Sequence, residues 1–202
     1  SDVCSSDLAS PPEQELHLIY VGNLFPHHGL DRLIRGIVLY QNSVKIVLMI
    51  VGDGPEKKYL QQLVNSKDVS GSVIFSPPRT NEGLDDLFDW AHLGIGALGI
   101  HRKGLSEASV LKVREYAARG IPFITCGDDP DFEEVEEIQP YIFKAPMDES
   151  NIDAEQLVAF AQKIYAQKTE RFDEVLRAFS QENLDMKMKM NELISILNAY
   201  SN

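Results

Sequence analysis

Leu93-Gly-Ile-Gly-Ala-Leu98, a loop holding Gly99 and Gly104, and then Ser106-Glu-Ala-Ser-Val-Leu-Lys-Val-Arg-Glu115 read as strand, loop and helix. The first six residues are apolar without alternation, as a strand buried on both faces of a parallel sheet requires. Gly120-Ile-Pro122 closes the helix. A loop entering a helix presents free backbone N–H groups and a positive dipole end, which suit phosphate. Glu107 and Glu115 flank that entry. With Glu107 at the helix start, a rise of 1.5 Å per residue sets Glu115 roughly 12 Å further on, within about 80° around the axis. Both carboxylates would then border one groove. Two hydroxyl-binding carboxylates beside a phosphate cradle suit a long ligand that is sugar-like at both ends. Exposed helices carry Glu routinely, so the spacing gains meaning only from its surroundings.

Outward from this segment, short apolar strands alternate with amphipathic helices. Strands are expected at His17–Gly22, Lys45–Val51, Ser72–Phe75, Leu93–Leu98, Pro122–Cys126 and Tyr141–Lys144. Helices are expected at Leu30–Tyr40, Glu56–Asn65, Leu84–Trp90 and Ser109–Arg119. This alternation predicts an α/β fold: a single Rossmann-like parallel sheet with helices on both faces. Later helical stripes at Asp153–Lys168, Phe172–Phe179 and Met186–Tyr200 predict a helical C-terminal layer. Such sheets bind ligands beyond the carboxyl ends of their strands, which gathers Gly22-Asn23, Gly52-Asp-Gly54, Ser76-Pro-Pro-Arg79 and the Glu107 loop.

The chain has 202 residues, 44% hydrophobic and 25% charged, which suits one soluble domain. A net charge of −12 excludes a nucleic-acid footprint. A spanning helix needs about 18 apolar residues in a row, and no run reaches that. Any membrane association would be peripheral. With only Cys4 and Cys126, no disulfide framework is expected, and the setting reads as cytoplasmic, at most the inner face of the membrane. Residues 1–8, Ser1-Asp-Val-Cys-Ser-Ser-Asp-Leu8, resemble the translation of a sequencing adapter and are expected to be a non-native leader. Residues 9–15 read as a linker, and 16–202 as the domain.

Other motifs carry less. Gly52-Asp-Gly54 begins like a dinucleotide fingerprint, yet Lys57 stands where its third glycine belongs and the motif follows the second strand. A nicotinamide-dependent oxidoreductase is therefore a weak reading. Gly104-Leu-Ser-Glu-Ala108 is one residue short of a nucleophile elbow. His27 and His28 are adjacent and Cys126 has no partner at ligand spacing, so neither a metal site nor a cofactor is expected. Asp128 to Glu137 holds seven carboxylates without EF-hand spacing and reads as a solvated acidic face.

Four ordered blocks carry a family resemblance. Ile19-Tyr-Val-Gly-Asn-Leu-Phe-Pro-His-His-Gly-Leu-Asp-Arg-Leu-Ile34 resembles the opening strand and helix of the donor-binding, C-terminal domain of retaining GT-B glycosyltransferases, of the glycosyl transferases group 1 type. Leu48-Met-Ile-Val-Gly-Asp-Gly-Pro55 resembles that domain's second strand and turn. Val73-Ile-Phe-Ser76 with Leu84-Asp-Asp-Leu-Phe88 is similar to the stretch lining its base pocket. Glu107 to Glu115 matches its paired-glutamate motif, followed by Ala117-Ala-Arg-Gly-Ile-Pro122. The resemblance covers about residues 16 to 145.

The resemblance implies transfer of a sugar from a nucleotide-diphosphate sugar to an acceptor with retention, in bacterial polysaccharide or glycoconjugate synthesis. Glu107 would meet the transferred sugar near its anomeric centre. Backbone amides of Ala108, Ser109 and Val110 would hold the diphosphate, Leu111 would pack on the nucleoside, and Glu115 would accept hydrogen bonds from the ribose. Gly22 and Gly29 would shape the phosphate approach, with Arg79 and Lys112 among the donor-binding residues. Many relatives carry Arg at Asn23 and Lys at His28, so another cation is expected to substitute, from Lys112, Arg114, Arg79 or Arg102. Histidine near its ordinary pKa would gain charge as pH falls from about 7.5 to 6. GT-B enzymes use two such domains, so the chain is expected to be a half enzyme. Its carbohydrate or lipid-linked acceptor would bind through a missing N-terminal domain. The competing class is a non-catalytic nucleotide-binding module of the same fold.

Overall fold

The computed structural model describes residues 11–79, 82–167, 171–184, 190 and 194. The expected leader lies outside them. So does the expected helix Met186–Tyr200, apart from Met190 and Ile194, both helical.

Six strands form one parallel sheet: β1 (Glu15–Val21), β2 (Lys45–Val51), β3 (Val73–Ser76), β4 (Leu93–Ile95), β5 (Phe123–Cys126) and β6 (Ile142–Ala145). Their spatial order is β3-β2-β1-β4-β5-β6. The chain winds outward from β1 to one edge, then returns to pair β4 on the other side of β1. That reversal makes the carboxyl ends of β1 and β4 the topological switch point, where open α/β sheets hold ligands.

The helices are α1 (Leu30–Leu39), α2 (Lys57–Ser66), α3 (Glu82–Trp90), α4 (Leu111–Arg119), α5 (Ala154–Tyr165) and α6 (Phe172–Phe179). In β1, Leu16, Leu18 and Tyr20 join one core, while Ile19 joins the other. This period of two, with both faces buried, is the signature of a central strand. The first core takes Leu33, Ile34 and Ile37 of α1, Leu60 and Val64 of α2, and Leu157 and Ala161 of α5. The second takes Phe88 of α3, Val113 and Tyr116 of α4, and Leu176 and Phe179 of α6. Helices thus cover both faces, and the C-terminal pair is divided between the two layers.

Two expectations change. The strand at Leu93–Leu98 pairs as β4 only to Ile95, although Gly96 N–H still donates to Ile124 O at 2.8 Å and Leu98 N–H to His28 O at 3.0 Å. The second bond ties the end of β4 to the turn after β1. The acidic run is also not wholly solvated. Asp129 is 6% exposed and accepts from Arg114 at 2.8 Å and 2.9 Å, while Glu133 and Asp128 meet Lys144. A buried carboxylate needs such partners, and Arg114 projects from α4 to supply them.

Candidate donor site at the sheet's switch point

β1 ends at Val21, and Gly22 turns the chain with φ +139°. A Cβ there would strain the backbone, although it would only touch Lys112 Cε, at 3.6 Å. The turn after β2 supports this one by close approach: a Cβ on Gly52 would lie 2.0 Å from Gly22 O. Leu24 N–H also donates to Asp53 O at 2.8 Å. The glycines of Gly52-Asp-Gly54 therefore serve backbone packing of two adjacent turns. Gly29, at φ +63°, sits under the β4 exit, where a Cβ would meet Leu98 C at 2.7 Å. It shapes the loop from beneath.

After β4 the chain makes a 3-10 turn, Ile100–Lys103, and returns along Gly104 to Val110 before α4 begins at Leu111. Glu107 is therefore not at the start of the helix, as the sequence suggested. It forms a parallel bridge with Asp128, in which Ala108 N–H donates to Asp128 O and Asp128 N–H to Ser106 O, both at 2.9 Å. Val110 N–H donates to the Asp129 carboxylate at 3.2 Å, and its extended ψ of 108° ends the non-helical stretch. These bonds to the β5 exit hold residues 106–110 straight. The helical projection from Glu107 to Glu115 accordingly does not apply, and both side chains stay exposed.

The same bonds commit the Ala108 and Val110 amides within the protein. Among the described residues, the N–H groups of Ser109, Leu111 and Lys112 have no acceptor. Two of these are the orphan donors of the first turn of α4, so the free amides stand slightly further along the chain than expected. Leu111 projects beside them, 82% exposed. Glu115, one turn further, accepts from Arg119 Nε at 3.3 Å, while Arg119 also pairs with Asp85 at 2.8 Å.

The four cations nominated from the sequence differ in the partners that hold them. Arg114 is held by Asp129, Asp131 and Ser109. Arg102 forks onto Asp31 at 2.8 Å and 3.0 Å, meets Glu149 and donates to Pro26 O at 2.7 Å. Arg79 lies after β3 and donates to Ser76 Oγ at 3.0 Å. Lys112 reaches across to β1, where its ammonium donates to Tyr20 Oη at 3.1 Å and sits 4.3 Å above that ring. Burial without a carboxylate lowers its pKa to about 7.

Tyr20 was not anticipated as part of the site. Its hydroxyl lies 2.5 Å from Asn23 O and 2.6 Å from His28 Nδ1, joining three positions that the resemblance had marked separately. Burial, and then the neighbouring Lys112, push His28 down to about 3. The expected gain of charge between pH 7.5 and 6 is thus corrected: this imidazole is desolvated among neighbours that oppose a second positive charge. Lys103, at the end of the 3-10 turn, adds positive potential at His27 and His28 and was likewise missed. Neither carries a motif signal, since their role arises only when β1 and β4 become neighbours.

A separate hollow of about 550 Å³ lies at the amino end of the sheet, lined by Glu13, Glu15, His17, Asp89, Trp90 and His92. Glu13, Glu15 and Asp89 give it an acidic rim. Among the described residues no group of three or more His, Cys, Asp or Glu side chains is placed to hold a metal. No helix among them is long and apolar enough to cross a membrane.

Residues 8–152 match the sequence profile of the family described as "Glycosyl transferases group 1". The chain belongs to that family. No curated protein matches it significantly. Among solved structures, it is similar to HepE of Anabaena in complex with UDP: 17% identity, TM-score 0.67, 92% of this chain and 49% of the other. WaaG, a glycosyltransferase involved in lipopolysaccharide biosynthesis, matches at 22% identity and TM-score 0.59, over 85% of this chain and 44% of its own. Sucrose-phosphate synthase from Thermosynechococcus elongatus matches at 18% identity and TM-score 0.62, over 94% and 47%. The chain thus spans about half the length of these relatives and shares their Rossmann-like α/β fold.

Proposed function

We propose that this member of the group 1 glycosyl transferases binds a nucleotide-diphosphate sugar at the carboxyl ends of β1 and β4, as the donor half of a retaining enzyme. One observation carries the reading: Gly22, the ammonium of Lys112 and the open amides of Leu111 and Lys112 gather at the switch point, with Glu107 before and Glu115 after these amides along the chain. HepE has been solved with UDP and with UDP-glucose, which supports a uridine diphosphate donor. The exposed Leu111 would pack on the nucleoside, Glu115 would accept from the ribose hydroxyls, and Glu107 would face the sugar.

In this reading, the departing diphosphate is stabilised by helix N-terminal amides and Lys112 instead of a divalent ion, so no cofactor takes part. A second domain would bring the carbohydrate or lipid-linked acceptor, in keeping with the length of the solved relatives. Likeness to a lipopolysaccharide enzyme supports work on a bacterial polysaccharide or glycoconjugate, in the cytoplasm and peripheral to the membrane at most. A nicotinamide site is disfavoured because Gly52 and Gly54 are used against Gly22 and Leu24.

The test is calorimetric titration with UDP, then incubation with UDP-glucose and acceptor. Micromolar to millimolar UDP binding with no transfer by residues 1–202 alone supports a donor half. Absence of UDP binding overturns the reading, and robust transfer by this chain alone overturns the half-enzyme account.

A further inference from the structure

Lys112 is placed unusually for a lysine at a phosphate site. It leaves α4, crosses to β1 and rests on the Tyr20 ring, with Tyr20 Oη as its hydrogen-bond acceptor at 3.1 Å. Among the described residues, no carboxylate forms an ion pair with it. The groups around it do not supply one. From β1 comes Tyr20, whose own ionisation is driven far upward by burial. From the turn after β1 come His27 and His28, and from the turn after β4 comes Lys103, all neutral or positive. On α4 itself Glu115 is engaged by Arg119.

The hydroxyl geometry fixes the histidine as well. A phenol has one proton to give and two lone pairs. With that proton on Asn23 O at 2.5 Å, Oη accepts from Lys112 and from the Nδ1–H of His28 at 2.6 Å. The approach of Phe25 N–H to the same nitrogen is long, at 3.4 Å. His28 is then a neutral brace for Tyr20.

We infer that the site becomes charged as its ligand arrives: Lys112 takes up a proton when a nucleoside diphosphate binds, while His28 stays neutral. The inference rests on the donor-site reading above. The step is a simple protonation, in which the Nζ lone pair forms an N–H bond with a solvent proton and nothing is oxidised or displaced. A lysine that is half-buried and unpaired disfavours its charged form, and an adjacent diphosphate reverses that preference. Burial alone brings the free-protein value to about 7. Affinity should therefore fall as pH rises above 7, tending to tenfold per pH unit until the pKa of the bound state is reached.

The experiment is titration of the full chain with UDP at pH 8 in Tris and in Hepes, whose ionisation enthalpies differ. The slope of measured heat against buffer ionisation enthalpy counts protons. Wild type should take up about 0.9 proton, because a group with a pKa near 7 is about nine-tenths neutral at pH 8. UDP itself is already deprotonated there, its second phosphate pKa being about 6. Lys112→Arg should bind within about tenfold of wild type with uptake near zero, because a guanidinium is always charged. Lys112→Met should bind about tenfold to a hundredfold more weakly, also without uptake. Wild-type binding without proton uptake overturns the inference alone, and uptake that persists in Lys112→Arg does so too, by placing the proton elsewhere. No UDP binding by wild type instead overturns the donor site beneath it.

Discussion

Replacing Gly52 by alanine should damage the donor site although Gly52 itself is not proposed to contact the donor. Gly52 has φ +147°, and its added Cβ would lie 2.0 Å from Gly22 O and 3.0 Å from Gly22 C. A carbon–oxygen contact relaxes near 3.3 Å, so the turns after β1 and β2 would have to separate by about 1.3 Å. They resist separation because Gly22 N–H donates to Val51 O at 3.0 Å and Leu24 N–H to Asp53 O at 2.8 Å. Overpacking costs about 1–3 kcal/mol and an L-residue in this backbone region about as much again, or about 2–6 kcal/mol together. In a domain of this size, at about 2–4 °C per kcal/mol, that lowers Tm by about 4–24 °C. Displacing Gly22 by about 1 Å should also weaken UDP binding at least tenfold, since positioning at that scale is functionally costly. Calorimetry and thermal melting read both effects. Gly71→Ala is the control: nothing lies within 4 Å of its added Cβ, and the change should stay within about 0.5 kcal/mol. A Gly52→Ala protein that melts and binds UDP like wild type would refute the coupling of the two turns.

Glu115→Ala should weaken UDP binding about tenfold to a hundredfold, as expected for loss of a charged hydrogen-bond partner, while exposed Glu136→Ala should not; equal affinities would remove Glu115 from the site. Asp129→Asn should lower stability by about 3 kcal/mol in urea titration, the low end for breaking a buried ion pair, because Arg114 keeps Asp131. Between pH 7.5 and 6, wild type and His28→Gln should bind UDP with parallel pH dependence, because a pKa of about 3 leaves His28 neutral throughout. The lowered value also means the unfolded chain binds more protons between pH 6.5 and 3. The His28 contribution to stability is therefore complete above pH 6.5 and is lost as pH falls through that window, so His28→Gln should flatten acid unfolding there.

The fold was legible because its signals are local and periodic. Apolar runs such as Lys45–Val51 match β2 residue for residue, and Gly120 closes α4 where the sequence places a stop. For the candidate site the sequence nominates positions but not their geometry. Glu107 sits in an extended bridge because Asp128 and Asp129 capture the neighbouring amides, a tertiary bond that helical spacing cannot anticipate. Tyr20 was hidden for the same reason. In sequence it is one apolar-strand residue among several, and it becomes the hub of Asn23, His28 and Lys112 only when α4 packs across β1. Likewise, Arg114 and Lys112 look equivalent in a list of nearby cations. Only the Asp129 and Asp131 carboxylates distinguish a committed arginine from an open lysine.

The central claim is that the carboxyl ends of β1 and β4 form the nucleotide site, and backbone amide NMR during UDP titration tests it most directly. The account predicts saturable shifts concentrated at Gly22, Asn23 and Ser109 to Lys112, with the amino end of the sheet around His17 and Trp90 unmoved. Shifts gathered at His17 and Trp90, or none anywhere at millimolar UDP, would contradict it.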